Sequence, residues 1–426
     1  MKCNRLLVLA ILCLLALPGY SQPVATEVET YTTVELRLTE QEIPQIASLG
    51  LAMDCCYHQF SRGYHIFQIP VNKEDLALLK EKKIAYSVVM EDTAAFYAER
   101  AQKMSVEGKA IVEEQRQALR TEMQLGSMSG AYKIEEVPQI LDKLYAKYGA
   151  KNLISQKVVI GKSYEGRDIY MVKISDNVNV DEGGVEPQAL YTGLHHAREP
   201  QGMMTLFYFM YYLLENYDSN QRVHSIVDNR ELYFIPVVNP DGYAYNQANY
   251  PNGGGMWRKN RGGKADLNRN YGPQELWNYA NGGSSTSPSS DTYRGTAPFS
   301  EPETKVVRDF VVGKKFRTAL NYHTYSNLLI YPWGYKDVLA DPKFKTMAVE
   351  MTKINGYSYG TAQGLLYAVR GDSDDWFFQE AKVYAMTPEV GGSSDGFWPK
   401  STRVFPLAQE NLEANLLLAE YAGQVK

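Results

Sequence analysis

Polar and apolar positions alternate from Tyr31 to Leu38, with Val34, Leu36 and Leu38 set against Thr33, Glu35 and Arg37. A period of two predicts a strand with one buried face. Thr39, with Glu42 three residues on, has the form of a capping box and predicts a short helix over 40–48. Strands are expected near 51–57 and 63–70, then a helix over 73–82 and a strand over 84–90. The resulting β-α-β-β-α-β order is that of a small ferredoxin-like α+β unit. From Asp92 to about Leu125 the chain is charged, helix-favouring and poor in turn residues, and it reads as a connecting helix or exposed linker.

From about residue 130 helices and strands alternate. Helices are expected over 134–148 and 200–216, and strands over 155–161, 170–174, 187–193, 231–238, 317–322 and 383–387. This pattern predicts an α/β domain, a mixed, largely parallel twisted sheet flanked by helices. The apolar run from Gly202 to Leu214 is too short to span a bilayer and reads as a buried helix. Between 250 and 300 a glycine-, serine- and asparagine-rich stretch shows no periodicity. So long a loop inside a compact domain is usually functional or disordered. Three strands run directly into polar residues, at His195-His196, at His323 and near Glu389. Open α/β sheets place their sites at such strand ends.

Composition excludes more than it assigns. With 426 residues, 44% of them hydrophobic, the chain has room for more than one domain and a sizeable core. Lys+Arg total 44 against 49 Asp+Glu, a net charge of −5 without a long basic run, so the electrostatic footprint of a nucleic-acid binder is absent. Lys2 and Arg5 precede the apolar stretch Leu6 to Leu17 and then Pro18-Gly19-Tyr20-Ser21, which predicts a signal peptide over 1–22. The mature protein is then exported, extracellular or periplasmic, with no membrane span once the leader is gone. Cys3 and Cys13 would leave with the leader. The remaining Cys55-Cys56 pair is poorly placed to bridge itself without strain, so no disulfide framework is expected. The C-terminal half contains no cysteine, so any metal there is held by other ligands.

The one His-x-x-Glu of the expected mature chain is His196-Ala197-Arg198-Glu199, just past a strand. An imidazole and a carboxylate so spaced can face one ion, and His323, at the end of another strand, can supply a third ligand. A catalytic zinc takes three protein ligands and keeps one position open. Alone, the spacing is weak, because it recurs by chance. The surrounding motifs give it context. They include Ser163-Tyr164-Glu165-Gly166-Arg167, Gly193-Leu194-His195-His196-Ala197-Arg198-Glu199 and Asn239-Pro240-Asp241-Gly242-Tyr243. Further on come Met256-Trp257-Arg258-Lys259-Asn260-Arg261, Asp266-Leu267-Asn268-Arg269-Asn270, His323-Thr324-Tyr325-Ser326 and Thr387-Pro388-Glu389. In this order they resemble the zinc carboxypeptidases of the pancreatic A and B type, over the whole of residues 129–426, with a Thr-Pro-Glu variant more like bacterial members.

The resemblance implies one zinc ion, held by His196, Glu199 and His323, with Glu389 as general base. It further implies that Arg258 stabilises the oxyanion and that Asn268 and Arg269 grip the substrate's terminal carboxylate. Tyr367 matches the tyrosine that closes over that carboxylate, and Arg198 a further substrate-binding arginine. Asp374 falls where B-type enzymes carry the aspartate of the side-chain pocket, which implies basic or mixed C-terminal preference. Asp372 and Arg370 depart from the pancreatic pattern, and Arg370 has the charge to neutralise one aspartate. Residues 23–95, with the connecting segment 96–128, are similar in topology to the activation domain of the family's zymogens. The substrates implied are peptides or proteins with a free C-terminus, and a monomer is the default expectation. Two other readings share these residues: a zinc amidase acting on cell-wall peptides, and an inactive peptide-binding module.

Overall fold

Two sheets divide the chain, which a computed structural model describes at residues 28–54, 56–102, 106–280 and 282–425. The expected leader, Cys55 and the short stretch 103–105 lie outside the described residues. The first sheet contains β1 (Thr32–Leu38), β2 (Tyr57–Ser61), β3 (Tyr64–Val71) and β4 (Ser87–Met90), antiparallel in the order β2-β3-β1-β4. Helices Ile43–Ala47 and Lys73–Glu81 complete the expected β-α-β-β-α-β order. Val34, Leu36 and Leu38 point inward and pack with Phe67, Ile69 and Leu79, as the alternation requires.

Two local expectations shift. Glu42 does reach back to the Thr39 N–H (2.8 Å) and hydroxyl (2.7 Å), but this pair closes a turn and the helix begins only at Ile43. The strand expected over 51–57 begins at Tyr57. Residues Leu51 to Asp54 and Cys56 are buried without a ladder, because this segment turns toward the second domain. There the Gly50 carbonyl accepts from the Ser290 and Thr292 hydroxyls, each at 2.7 Å. The same hydrophobic cluster that holds β1 and β3 takes in Leu328, Leu366, Tyr367 and Val369 of the second domain.

The region expected as a connector is two helices, Thr93–Gln102 and Val106–Ala118. The second sheet comprises β5 (Val158–Lys162), β6 (Asp168–Ile174), β7 (Gln188–Gly193), β8 (Glu231–Ile235), β9 (Phe316–Tyr322), β10 (Leu328–Ile330), β11 (Ser358–Gly360) and β12 (Tyr384–Glu389). Their order is β11-β10-β12-β9-β7-β8-β6-β5. Strands β12, β9, β7 and β8 run parallel, while β6 and β5 at one side and β10 at the other introduce antiparallel pairings. The sheet is mixed with a parallel centre, and every residue of β7 and β8 is buried, as a strand covered on both faces demands.

Helix Pro200–Asn216 leaves β7 and buries nearly its whole length, which accounts for its unbroken apolar run. Gly202 lets it approach β9 closely: a Cβ added there would lie 2.9 Å from Tyr322 Cβ. That contact sets the start of the helix, and Glu199 before it, against the residue that follows β9. Strand β8 ends three residues earlier than expected, because Val238 and Asn239 donate backward to the Gly193 and Leu194 carbonyls at the turn into helix Pro240–Asn249. The aperiodic stretch 250–300 carries only a 3₁₀ turn, Leu267–Arg269, and a short helix, Gln274–Trp277, among the described residues. Among the described residues, no helix is long and apolar enough to cross a membrane.

Candidate active site

The parallel strands β7, β9 and β12 are neighbours, so the residues past their carboxyl ends meet above one edge of the sheet. After β7, Leu194 adopts a left-handed conformation (φ 55°) and turns the chain into His195 and His196. His196 Nδ1 lies 2.9 Å from a Glu199 carboxylate oxygen, and His323 Nδ1 lies 2.9 Å from the other. The two Nδ1 atoms face each other at 3.0 Å, and all three side chains are buried. Two imidazole lone pairs and a carboxylate aimed at one point repel one another unless a proton or a cation lies between them. Two histidines and one carboxylate with buried, convergent ligand atoms fit a catalytic zinc.

Asp266 holds this cluster from behind. Its Oδ1 lies 2.9 Å from His196 Nε2 and accepts the Asn268 N–H at 2.9 Å, while Oδ2 accepts from Arg258 Nε (3.0 Å) and Nη2 (2.8 Å). A carboxylate on the far nitrogen of a ligand histidine fixes the ring and its tautomer. Burial alone would raise the Asp266 carboxyl, but Arg258, His196 and Arg269 outweigh it and hold it far below the usual carboxylate range. One aspartate thereby positions His196, Arg258 and the turn that bears Asn268 and Arg269.

Glu389 stands at the end of β12. The His323 N–H donates to the Pro388 carbonyl (2.9 Å) and the Val390 N–H to the His323 carbonyl (3.0 Å), locking Glu389 beside the histidine. Burial, with Glu199 and Asp54 nearby, pushes its carboxyl well above the usual range against the pull of Arg258 and Arg269. Arg269 donates to the Tyr367 hydroxyl (3.0 Å) and to the carbonyls of Asn268 (2.8 Å) and Gly283 (3.1 Å). Asn268 accepts the Ser373 N–H at 2.9 Å and lies 3.4 Å from His323 Nε2.

Between these arginines lies a carboxylate of the first domain. Asp54 Oδ2 accepts from Arg258 Nη2 at 2.6 Å and from Arg269 Nη2 at 2.9 Å. Burial opposes ionisation there, but the two guanidiniums and His196 prevail and hold Asp54 well below the carboxylate range. Arg198 is engaged differently. It donates to Asp291 (2.9 Å), stacks over Phe397 and lies 5.7 Å from the Tyr31 ring of the first domain.

Asn268, Arg269, Tyr367 and Glu389 border a cavity of about 40 Å³ that continues to Asp372, Asp374 and Asp375. Asp54 is among its lining residues, and such a volume holds only a few waters. Asp374 Oδ1 accepts from Asn321 Nδ2 at 2.7 Å. Burial, then Asp372, push the Asp374 carboxyl up to about 7 despite hydrogen bonds from Asn321 and Thr387. Arg370 takes no part in this charge balance: it donates to the Ser284 hydroxyl (2.8 Å), the Ser284 carbonyl (2.9 Å) and the Tyr279 carbonyl.

A family model for zinc carboxypeptidases matches residues 139–414. The chain belongs to the zinc carboxypeptidase family. Carboxypeptidase A1 of Rattus norvegicus is 29% identical over 360 residues, covering 81% of this chain and 80% of that protein. Carboxypeptidase B of Astacus astacus is 32% identical over 308 residues, 67% of this chain and 95% of the relative. The crystal structure of carboxypeptidase A from Helicoverpa armigera shares the fold, with a TM-score of 0.70 at 22% identity over 93% of this chain and 98% of that one. The protein is therefore a metallocarboxypeptidase, a hydrolase of the family that uses zinc, and His196, Glu199 and His323 form a group compatible with that ion.

Sequence reasoning missed two residues of this site. Asp266 stood within a quoted motif, two positions before Asn268, but an aspartate's bond to a distant histidine leaves no periodic trace. Asp54 carried no signal, since only domain docking brings it to the arginines.

Proposed function

We propose that the protein is an exported carboxypeptidase that removes the terminal residue of peptides by metal-assisted hydrolysis, and that its first domain keeps it latent. The observation that carries this reading is the Asp54 carboxylate held jointly by Arg258 and Arg269, 2.6 and 2.9 Å away, beside the histidine–glutamate cluster. A pair of buried guanidiniums selects a carboxylate by charge and planar geometry. A free C-terminus is the substrate group that offers one.

His196, Glu199 and His323 would hold the zinc. When bound, it supplies a Lewis acid for the scissile carbonyl and acidifies its water. Asn268, Arg269 and the Tyr367 hydroxyl orient the terminal carboxylate, which places the last peptide bond toward Glu389. Glu389 takes a proton from the attacking water and returns it to the departing amine. Arg258 faces the oxygen that gains negative charge, with its guanidinium already fixed by Asp266. Arg198, braced by Asp291, serves the longer substrate chain. Asp374 and its neighbours receive the terminal side chain, which favours a basic residue.

The latent state follows from occupancy. While Asp54 is seated, a substrate carboxylate has no vacant guanidinium pair, so the domain over 23–95 acts as an activation domain. Cleavage within 95–128 releases it. The amidase reading rests on the same residues and has no observation of its own. Peptidase assays with and without chelator, alongside Glu389→Ala, test the proposal. Release of C-terminal residues that is indifferent to both would end it.

A further inference from the structure

The two imidazoles assigned to the metal are held in different ways. His196 has a carboxylate on its far nitrogen, with Asp266 Oδ1 2.9 Å from Nε2. His323 has none. With Nδ1 turned to the metal ligands, its Nε2 carries the ring proton, and the polar atom within reach is Asn268 Nδ2 at 3.4 Å. That amide nitrogen is itself a donor. The Asn268 oxygen is taken by the Ser373 N–H at 2.9 Å. Backbone bonds to Pro388 and Val390 fix where residue 323 stands, but not how its ring is turned about its side-chain torsions.

What lies flat against that ring is His195. The two centroids are 5.7 Å apart and the planes 21° from parallel, an offset stack. His195 is fully buried; its Nε2 lies 2.9 Å from the Tyr271 hydroxyl, while its Nδ1 has no partner. Burial holds the ring neutral. The pair then has two protons, an N–H and an O–H, and one hydrogen bond between them, so one polar group goes unpaired in either tautomer. Two apolar side chains of similar shape would avoid that loss of stability. What the polar pair adds is orientation. Tyr271 is itself fixed, by its N–H on the Gly371 carbonyl (2.9 Å) and by ring contacts with Phe299 and Trp376. Its hydroxyl therefore sets the angle at which His195 presents a face. We propose that His195 is a positioning residue for His323: pinned by Tyr271, its ring is the flat wall that keeps His323 Nδ1 aimed at the metal, as Asp266 does for His196. This rests on the reading above in which His196, Glu199 and His323 hold zinc.

The test uses the full chain. Zinc affinity is read by competition with a chelating dye, and the ligand geometry by the visible absorption of the cobalt(II)-substituted protein. His195→Leu removes the flat face. It is expected to weaken zinc binding by about tenfold or more, as loss of other groups behind a ligand histidine does, and to shift the cobalt absorption. Tyr271→Phe deletes only the hydroxyl and is expected to weaken binding by about threefold, the size of a neutral hydrogen bond. Added to His195→Leu, it is expected to have no further effect, because the hydroxyl then has no ring to pin. Val307→Ala removes buried volume from the cluster that packs Tyr271, so it should lower Tm while leaving zinc affinity and the cobalt spectrum unchanged. Wild-type affinity in His195→Leu overturns the proposal, and so do additive losses in the double variant. A Val307→Ala protein that loses zinc as His195→Leu does also overturns it, by making general packing the cause. Should His195→Leu fail to fold, Tyr271→Phe decides alone, and an unchanged affinity and spectrum there overturn the proposal. Glu199→Ala separates this proposal from its premise: wild-type zinc affinity in that variant ends the ligand assignment itself. Loss of zinc in Glu199→Ala with none in His195→Leu ends only the role given to His195.

Discussion

Asp266 joins the histidine–glutamate cluster to Arg258. Replacing it with Asn keeps the size but exchanges one acceptor for a donor, so the His196 ring loses its fixed tautomer. Zinc affinity is expected to fall by about 10- to 100-fold, as for other carboxylates behind a ligand histidine, read by competition with a chelating dye. Glu389→Ala is expected to differ in kind, with kcat lower by about 10²- to 10⁴-fold while zinc content stays whole. At the domain junction, Asp75 is buried near Asp291, Glu29 and Lys259. Burial, then Asp291, raise its carboxyl from 3.8 to about 8. A raised carboxyl binds its proton more tightly in the folded chain. Its contribution is therefore complete below about pH 4 and is lost as pH climbs through about 8. Thermal melts of the full chain should show a Tm that falls across this window, and Asp75→Asn should flatten the decline. A wild-type Tm independent of pH from 4 to 8 would contradict the account.

At the scale of elements, the site depends on how closely helix Pro200–Asn216 packs against β9. Glu199 precedes that helix and His323 follows that strand, so their separation is set by the Gly202–Tyr322 contact. Gly202→Val overpacks this seam and should destabilise the fold by about 1–3 kcal/mol. Because the helix moves as a unit, zinc binding should weaken in the same variant, measured by denaturant melts with and without the metal. Normal affinity in a destabilised Gly202→Val protein would separate the two effects and refute the coupling. The stretch 250–300 makes the complementary point. Little of it is regular, yet Arg258, Asp266, Asn268 and Arg269 are buried there by hydrogen bonds to Asp54, His196, Ser373 and Tyr367, residues far along the chain.

Considered as one molecule, the unit built on the first sheet is joined to the unit built on the second by the two ion pairs of Asp54, with Arg258 and Arg269, and by a shared hydrophobic cluster. Displacing Asp54 should therefore unmask the arginines without refolding the catalytic domain. Asp54→Ala is expected to raise the activity of the uncleaved chain by about tenfold or more, since two charge-assisted bonds are lost. Helix Val106–Ala118 has no buried residue, so limited proteolysis should act within 95–128 and raise activity further. N-terminal sequencing of the active form would check this. Fully active protein beginning at Gln22 or Pro23 would refute an activation role.

Much of this architecture was legible in the chain. Alternation over 32–38 gives β1 its inward face, and the apolar run after residue 200 gives the buried helix, because side-chain period and burial are local properties of sequence. The three residues compatible with zinc were legible too, since strand ends fix where His196, Glu199 and His323 emerge. The segment 51–56 was not, because it is buried by another domain and forms no ladder of its own. Nor were the Asp54 ion pairs, the Asp266 brace or the outward turn of Arg370, each of which joins residues far apart in the chain. Local pattern determines which elements form and which face each buries. Which of several aspartates and arginines meet inside a cleft is decided only when the elements pack, because a buried charge takes the partner that tertiary structure brings to it.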